Sequence, residues 1–197
     1  MPKIFNEEEK LIIKNAMFEK GFELLKEEGM IHMSVEKITS ACGIGKSTFY
    51  NFFLSKEDFV IQLIDQKRMN ALDSVKGRLK GRKKMTEEEG KRLLKSILYS
   101  SDSIYQYLKL EDLLKLQERT NYLSNPDIKE EYNLMKELFD CIEGIREDPD
   151  YPLIANLLKI ITLVSEEKKL LHEKAYDRTI DALYCTLFEN IFIEESA

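Results

Sequence analysis

The stretch SVEKITSACGIGKSTFYNFFLSKED, Ser34 to Asp58, decides how this chain reads. Ser34 is a good N-cap, because a hydroxyl there accepts from the amides that a helix start leaves bare. The helix it opens covers Val35 to Cys42, with Val35, Ile38 and Ala41 or Cys42 turned inward. Gly43 ends it, since a tight turn wants a residue tolerant of positive φ. A second short helix, about Lys46 to Phe53, carries Phe49, Phe52 and Phe53 on its core side. Lys46, Ser47, Thr48, Tyr50 and Asn51 are left outside; all five can hydrogen-bond and none is acidic. Two short helices that share an apolar face across a Gly-containing turn make a helix-turn-helix, whose second helix enters the major groove of DNA. Ser55 and Asp58 then have capping-box spacing. They open a long helix through Val60, Leu63 and Ile64, and later Leu72, Val75 and Leu79.

Upstream, Leu11, Phe18, Phe22 and Leu25 recur at helical spacing between Glu8 and Glu28, with Gly21 on the same face and Gly29 as a stop. Downstream, Gly77, Gly81 and the basic stretch Arg78 to Lys84 mark a boundary, read as a solvated helix end. Thr86 and Glu89 repeat the capping-box spacing. Further helices are expected at roughly 87–100, 103–123, 126–144, 152–167 and 168–193, with Pro126 and Pro152 at first helical positions. No strand pattern or internal repeat interrupts the series. The fold expected is all-α: a three-helix, homeodomain-like helix-turn-helix domain followed by a larger helical domain.

Composition agrees with an ordinary globular protein, at 43% hydrophobic and 34% charged residues. No apolar run approaches the roughly 18–20 residues that span a bilayer, and Met1 to Lys10 is too polar and acidic for a signal peptide. The cytoplasm is the expected compartment. Cys42, Cys141 and Cys185 are widely spaced and odd in number, so neither a disulfide framework nor a zinc site is expected. His32 and His172 are isolated, and no catalytic constellation, metal site or cofactor is expected. Net charge is −6, and residues 1–60 hold eight Lys against ten Asp plus Glu. A nucleic-acid reading therefore rests on placed residues, not on bulk charge. One decoy falls away. Gly45-Lys46-Ser47-Thr48 ends like a phosphate-binding P-loop, but the first Gly of that motif would stand at position 40, which is Ser40.

Gly29, Ser34-Val35, Ile38, Gly43-Ile44, Lys46-Ser47-Thr48-Phe49-Tyr50, Phe53 and Ser55-Lys56-Glu57-Asp58 together resemble the DNA-binding domain of TetR-family transcriptional regulators. The resemblance covers about residues 8–65. Gly21 departs from it where the family commonly has Ala, Cys42 where a small residue is usual, and Met30 where an aromatic follows the Gly. The resemblance implies that Lys46 and Ser47 face base edges, and that Thr48, Tyr50 and Lys56 meet phosphates. Ser34, Thr39, Gly45 and Asn51 complete the expected DNA-binding set.

The resemblance also implies a homodimer paired through its last two helices, a double-stranded operator as partner, and a small-molecule effector held in the helical body. The expected division is residues 1–65 as the DNA-binding domain, with a linking helix at about 56–80, and 66–197 as the ligand-binding and dimerisation domain. Tyr99, Tyr105, Tyr107, Tyr122, Tyr132, Met135 and Phe139 cluster in the sequence as candidate ligand contacts, with ordinary helical core as the competing reading. Ile180, Leu183, Tyr184, Leu187, Phe188 and Ile191, extended by Phe192, form an apolar stripe at helical spacing. It suits a partner helix across a dimer and an intramolecular core equally. The function expected is a DNA-binding regulator, a repressor released from a palindromic operator by its ligand. The alternative to ligand response is an all-helical protein-interaction module.

Overall fold

The computed structural model describes residues 5–99, 104–120, 129–166 and 168–193. Among these, nine α-helices follow in order: α1 Glu7–His32, α2 Val35–Ala41, α3 Lys46–Tyr50, α4 Lys56–Arg78, α5 Glu87–Tyr99, α6 Leu110–Thr120, α7 Lys129–Asp140, α8 Tyr151–Glu166 and α9 Tyr176–Ile191. The described chain is helical without strands, as the sequence predicts. It divides into two compact units: Met1–Lys67 with Tyr107–Asn125, and Arg68–Gln106 with Pro126–Ala197.

The first unit is organised by aromatic side chains. Phe18, Phe49, Phe53 and Phe59 are all buried, and their ring centroids stand 4.9 to 5.8 Å apart. Such tilted and edge-on pairs stabilise a core beyond the area they bury. Gly21 faces this cluster. A Cβ there would stand 2.3 Å from Phe59 Cζ, so the aromatic ring lies against bare backbone. Here the departure from the family's Ala has a steric reason. Gly29, at φ 74°, breaks the regular helix; the chain turns helical again until Met33, whose N–H donates to the Gly29 carbonyl at 3.2 Å.

The second unit buries Val75, Leu79, Leu94, Ile142, Ile154, Ile161, Leu187 and Ile191 in one cluster. Two short backbone pairings tie its loops. Met85 exchanges hydrogen bonds with Cys141 and Glu143, while Arg146 and Ile193 bond to Ile191 and Gly144. The Thr86–Glu89 capping box forms in full, the Thr86 amide donating to the Glu89 carboxylate at 2.9 Å and the Glu89 amide to the Thr86 hydroxyl at 3.3 Å. Arg82 adds two hydrogen bonds to the same carboxylate. With the Arg82 bonds as the leading cause, the Glu89 carboxyl falls to about 2.

Several helix boundaries differ from expectation, among them the helix expected to run to 144, which ends at Asp140. The single helix expected at 103–123 is a 3₁₀ turn, Ile104–Gln106, followed by α6. The Lys109 amide donates to Asp112 at 3.0 Å, and a side chain that serves a local backbone amide starts a new helix there. The helix expected from 168 begins at Tyr176, after two 3₁₀ turns at Lys168–Leu170 and Glu173–Ala175. Lys168, Lys169, His172, Glu173 and Lys174 are exposed, and regular helix starts only where Tyr176 reaches the core. The recognition helix stops at Tyr50 rather than Phe53, with Phe52 and Phe53 continuing as a turn bonded to Phe49. Pro126 lies outside the described residues. Pro152 sits one residue inside α8, whose start is capped by Asp150 accepting from the Leu153 amide at 3.0 Å.

Candidate nucleic-acid interface

Ser34 caps α2 as its place in the sequence predicts, its hydroxyl accepting from the Lys37 amide at 3.2 Å. After α2 the chain reverses through Gly43 at φ 65°, and the Ile44 amide donates back to the Thr39 carbonyl at 3.0 Å. Gly45 stands as the N-cap of α3. Phe49 anchors that helix in the aromatic core at 0% exposure. One face is thereby pinned, and Lys46, Ser47, Tyr50 and Asn51 stand exposed on the other, with Thr48 half-buried between. Tyr50 leans edge-on against Phe49, with centroids 5.5 Å apart. The outer face of α3 carries donors and acceptors and no carboxylate.

The neighbouring charges modify this. The Lys46 ammonium donates to Glu36 on α2, a residue the sequence reading did not single out. That hydrogen bond holds the Glu36 carboxyl below its ordinary range. Both side chains are more than half exposed, so the pair is weak and easily exchanged for another anion. The available signal was a carboxylate in the exposed first turn of α2, ten residues before Lys46. Lys37 is tied back to α1, to Glu28 at 2.5 Å and to the His32 carbonyl at 3.1 Å.

Two expected contacts sit otherwise. Thr39 is 3% exposed, and its hydroxyl donates to the Val35 and Glu36 carbonyls at 2.9 and 3.1 Å. It is a core residue with an internally satisfied hydroxyl, which corrects the expectation that it touches the flanking DNA backbone. The Lys56 ammonium donates to the Met30 and Met33 carbonyls at 2.9 and 3.1 Å, which ties the start of α4 to the end of α1. The sequence placed this cation at a helix start. Only the fold shows it spent on carbonyls at the end of α1.

The other candidate residues separate. Tyr107 belongs to the first unit and packs edge-on against Phe22 at 5.8 Å. On α7, Tyr132 and Phe139 both stack on Tyr151, at 5.9 and 6.0 Å, and Met135 packs against the second core. Tyr99 ends α5, Tyr105 lies in the turn Ile104–Gln106, and Tyr122 lies outside the described residues. In the C-terminal stripe, Ile180, Tyr184, Leu187 and Ile191 are buried in the chain's own core, with Phe192. Leu183 and Phe188 are partly buried against that core. Of the two readings left open, the buried members take the intramolecular one, because α8 packs along α9 and covers them.

No group of three or more His, Cys, Asp or Glu suited to a metal ion occurs among the described residues. No helix among them is long and apolar enough to cross a membrane.

Residues 18–63 match the family model described as bacterial regulatory proteins, tetR family. That segment contains α2, α3 and the aromatic core. The comparison with curated proteins returned no match. Among solved structures, the chain resembles a FadR from Thermus thermophilus, a TetR-family transcriptional repressor in complex with lauroyl-CoA. Identity is 18% and the TM-score 0.53, over 93% of this chain and 97% of that one. It also resembles the fatty acid degradation regulator FadR from Bacillus halodurans, at 21% identity and TM-score 0.51, covering 89% and 97%. A third is a protein from Shewanella sp. PV-4 described as a tetR family transcription regulator, at 15% identity and TM-score 0.52, covering 92% and 99%. At these identities the likeness speaks for the fold, and it extends beyond residues 18–63 over most of the chain. Residues 18–63 therefore match the tetR family model, and the chain as a whole has the fold of the structures it resembles.

Proposed function

We propose that the chain is a sequence-specific DNA-binding transcriptional regulator, a repressor that leaves a palindromic operator when a small molecule binds its helical body. The observation that carries the DNA-binding part is the outer face of α3. Phe49 is locked into the core, so Lys46, Ser47, Tyr50 and Asn51 face solvent with no carboxylate among them. Lys46 and Ser47 are assigned to base edges, since Lys donates to guanine O6 or N7 and Ser to several bases. Thr48, Tyr50 and the Ser34 region are assigned to phosphates, with Gly45 at the helix start allowing close approach. Lys56 acts on this face chiefly by fixing α4 against α1.

The ligand response rests on the family resemblance of the N-terminal segment and on a lauroyl-CoA-bound structure of the same fold. The aromatic stack of Tyr132, Tyr151 and Phe139 is the starting point in the second unit for locating an effector. Dimerisation is proposed through α8 and α9 with residues outside the buried stripe, Leu153 and Ile160 of α8 being the large apolar side chains exposed there. Selection of operators from random double-stranded DNA tests the core of the reading. A palindromic consensus, lost on Lys46→Ala, supports it. Recovery of no consensus by protein shown to be folded rejects it.

A further inference from the structure

Glu36 is the only acidic residue of α2 and α3. It stands in the first turn of α2, and its carboxylate accepts from the Lys46 ammonium at the start of α3. The proposed function uses Lys46 and leaves Glu36 without a role. Both side chains reach solvent, Glu36 at 60% and Lys46 at 53% exposure. Beneath them Ile38 and Phe49, each at 0%, fix the two helices in the core. The Lys46 hydrogen bond, the leading cause, holds the Glu36 carboxyl below its ordinary range, so it is ionised at neutral pH. Lys37 is turned to Glu28 and the His32 carbonyl, and Lys56 to the Met30 and Met33 carbonyls. Lys46 is the cation that α3 presents, and it is presented with its charge already matched.

Two kinds of acceptor on DNA respond differently to that match. A phosphate is an anion. When Lys46 neutralises it, the Glu36 carboxylate either loses its partner or lies beside a second negative charge. The counterion release that drives sequence-independent binding is thereby offset. A guanine edge is neutral. Its O6 and N7 accept from an ammonium that carries three donors, so Lys46 can reach them with one N–H still on Glu36. The carboxylate thus opposes the contact that carries no sequence information and tolerates the one that does.

We propose that Glu36 is a specificity-determining residue, which withholds Lys46 from phosphates while leaving it able to read guanine. It lowers binding to DNA of any sequence more than it lowers binding to the operator. This inference rests on the reading of α3 as the DNA-facing helix.

The test compares the full wild-type chain with Glu36→Gln, Lys46→Ala and the double variant. Each is titrated with the selected operator and with a scrambled duplex of equal length and composition, at three salt concentrations. Gln keeps an oxygen for the ammonium and removes the charge, and both substituted side chains lie outside the core. Glu36→Gln is expected to tighten the scrambled duplex at least about threefold and the operator less, so that the ratio of the two affinities falls. The slope of log affinity against log salt on the scrambled duplex is expected to steepen by about one per bound subunit. In the Lys46→Ala background the same change is expected to leave that slope nearly unaltered, because no cation remains to be released from the pair. Equal tightening of both duplexes, a slope unmoved by Glu36→Gln, or the same slope change with and without Lys46 overturns the proposal and leaves the DNA-binding reading standing. A folded wild-type chain that binds the operator no better than the scrambled duplex overturns that reading, and the proposal with it.

Discussion

At the residue scale, the side chains that matter most are those whose tertiary partners change their meaning. Lys46 and Lys56 look alike in the sequence, yet one pairs with an exposed carboxylate and the other with two backbone carbonyls. Lys46→Ala is therefore expected to lose discrimination at one base pair of each half-site, on the order of 1–3 kcal/mol. Binding to single-base operator variants measures it; a uniform loss across all variants would remove the base-reading role. Lys56→Ala is expected to lower folding stability by about 1.5–3 kcal/mol, the range for a hydrogen-bonded charge, and urea denaturation reads it. Gly21→Ala tests the aromatic core. A methyl group 2.3 Å from Phe59 forces the ring aside, at a cost of roughly 1–3 kcal/mol for overpacking, despite the gain in helix propensity. An unchanged or raised urea midpoint would show that the ring has room to shift.

At the scale of elements, local rules placed the capped helix starts at Ser34 and Thr86 well, and missed the later starts of α6 and α9. The Thr86–Glu89 box forms as its spacing predicts, and Arg82 joins it through the fold. The Glu89 carboxyl, depressed from 4.5 to about 2, contributes stability that is fully present above its unfolded value. That contribution is lost as pH falls through the folded value. Carboxyl-carbon shifts followed from pH 6 downward are thus expected to place the Glu89 midpoint well below 4.5. A midpoint near 4.5 would mean that Arg82 does not hold it in solution. The stripe on α9 carries a different expectation from the one its pattern suggested. Leu187 is completely buried in its own subunit. Leu187→Ala should cost about 2–5 kcal/mol at any protein concentration, as a core cavity does, instead of merely splitting a dimer. A loss that vanishes as protein concentration rises would return the stripe to an interface.

At the scale of the whole molecule, charge sets how DNA binding should respond to salt. The chain carries −6 overall, and the proposed reading face exposes Lys46 while Lys37 and Lys56 are bound internally. Few phosphates are neutralised by cations, so the slope of log affinity against log salt is expected to be shallow, well short of the roughly −10 of a strongly basic repressor. Operator binding at four salt concentrations measures it, and a slope as steep as that repressor's would show that other lysines reach the backbone. Sedimentation at micromolar concentration tests the proposed pairing through α8 and α9; a single monomeric species would count against it.

The sequence by itself determined what depends on neighbours a few residues apart. Ser34 and Thr86 as caps, Gly43 at positive φ, the all-helical class and the outward row on α3 are set by backbone sterics and short-range hydrogen bonds, which act before the chain is packed. The resemblance to TetR-family regulators was legible for the same reason, since it rests on small, aromatic and capping residues in fixed order. Tertiary structure alone decided what depends on groups brought from far along the chain. Thr39 proved to be core, Glu36 the partner of Lys46, Lys56 a tie between α1 and α4, and Asp112 a buried carboxylate beside the helix-turn-helix. Periodicity says that a face is apolar; it does not say what covers it. That is why the α9 stripe was undecided until α8 was seen lying along it.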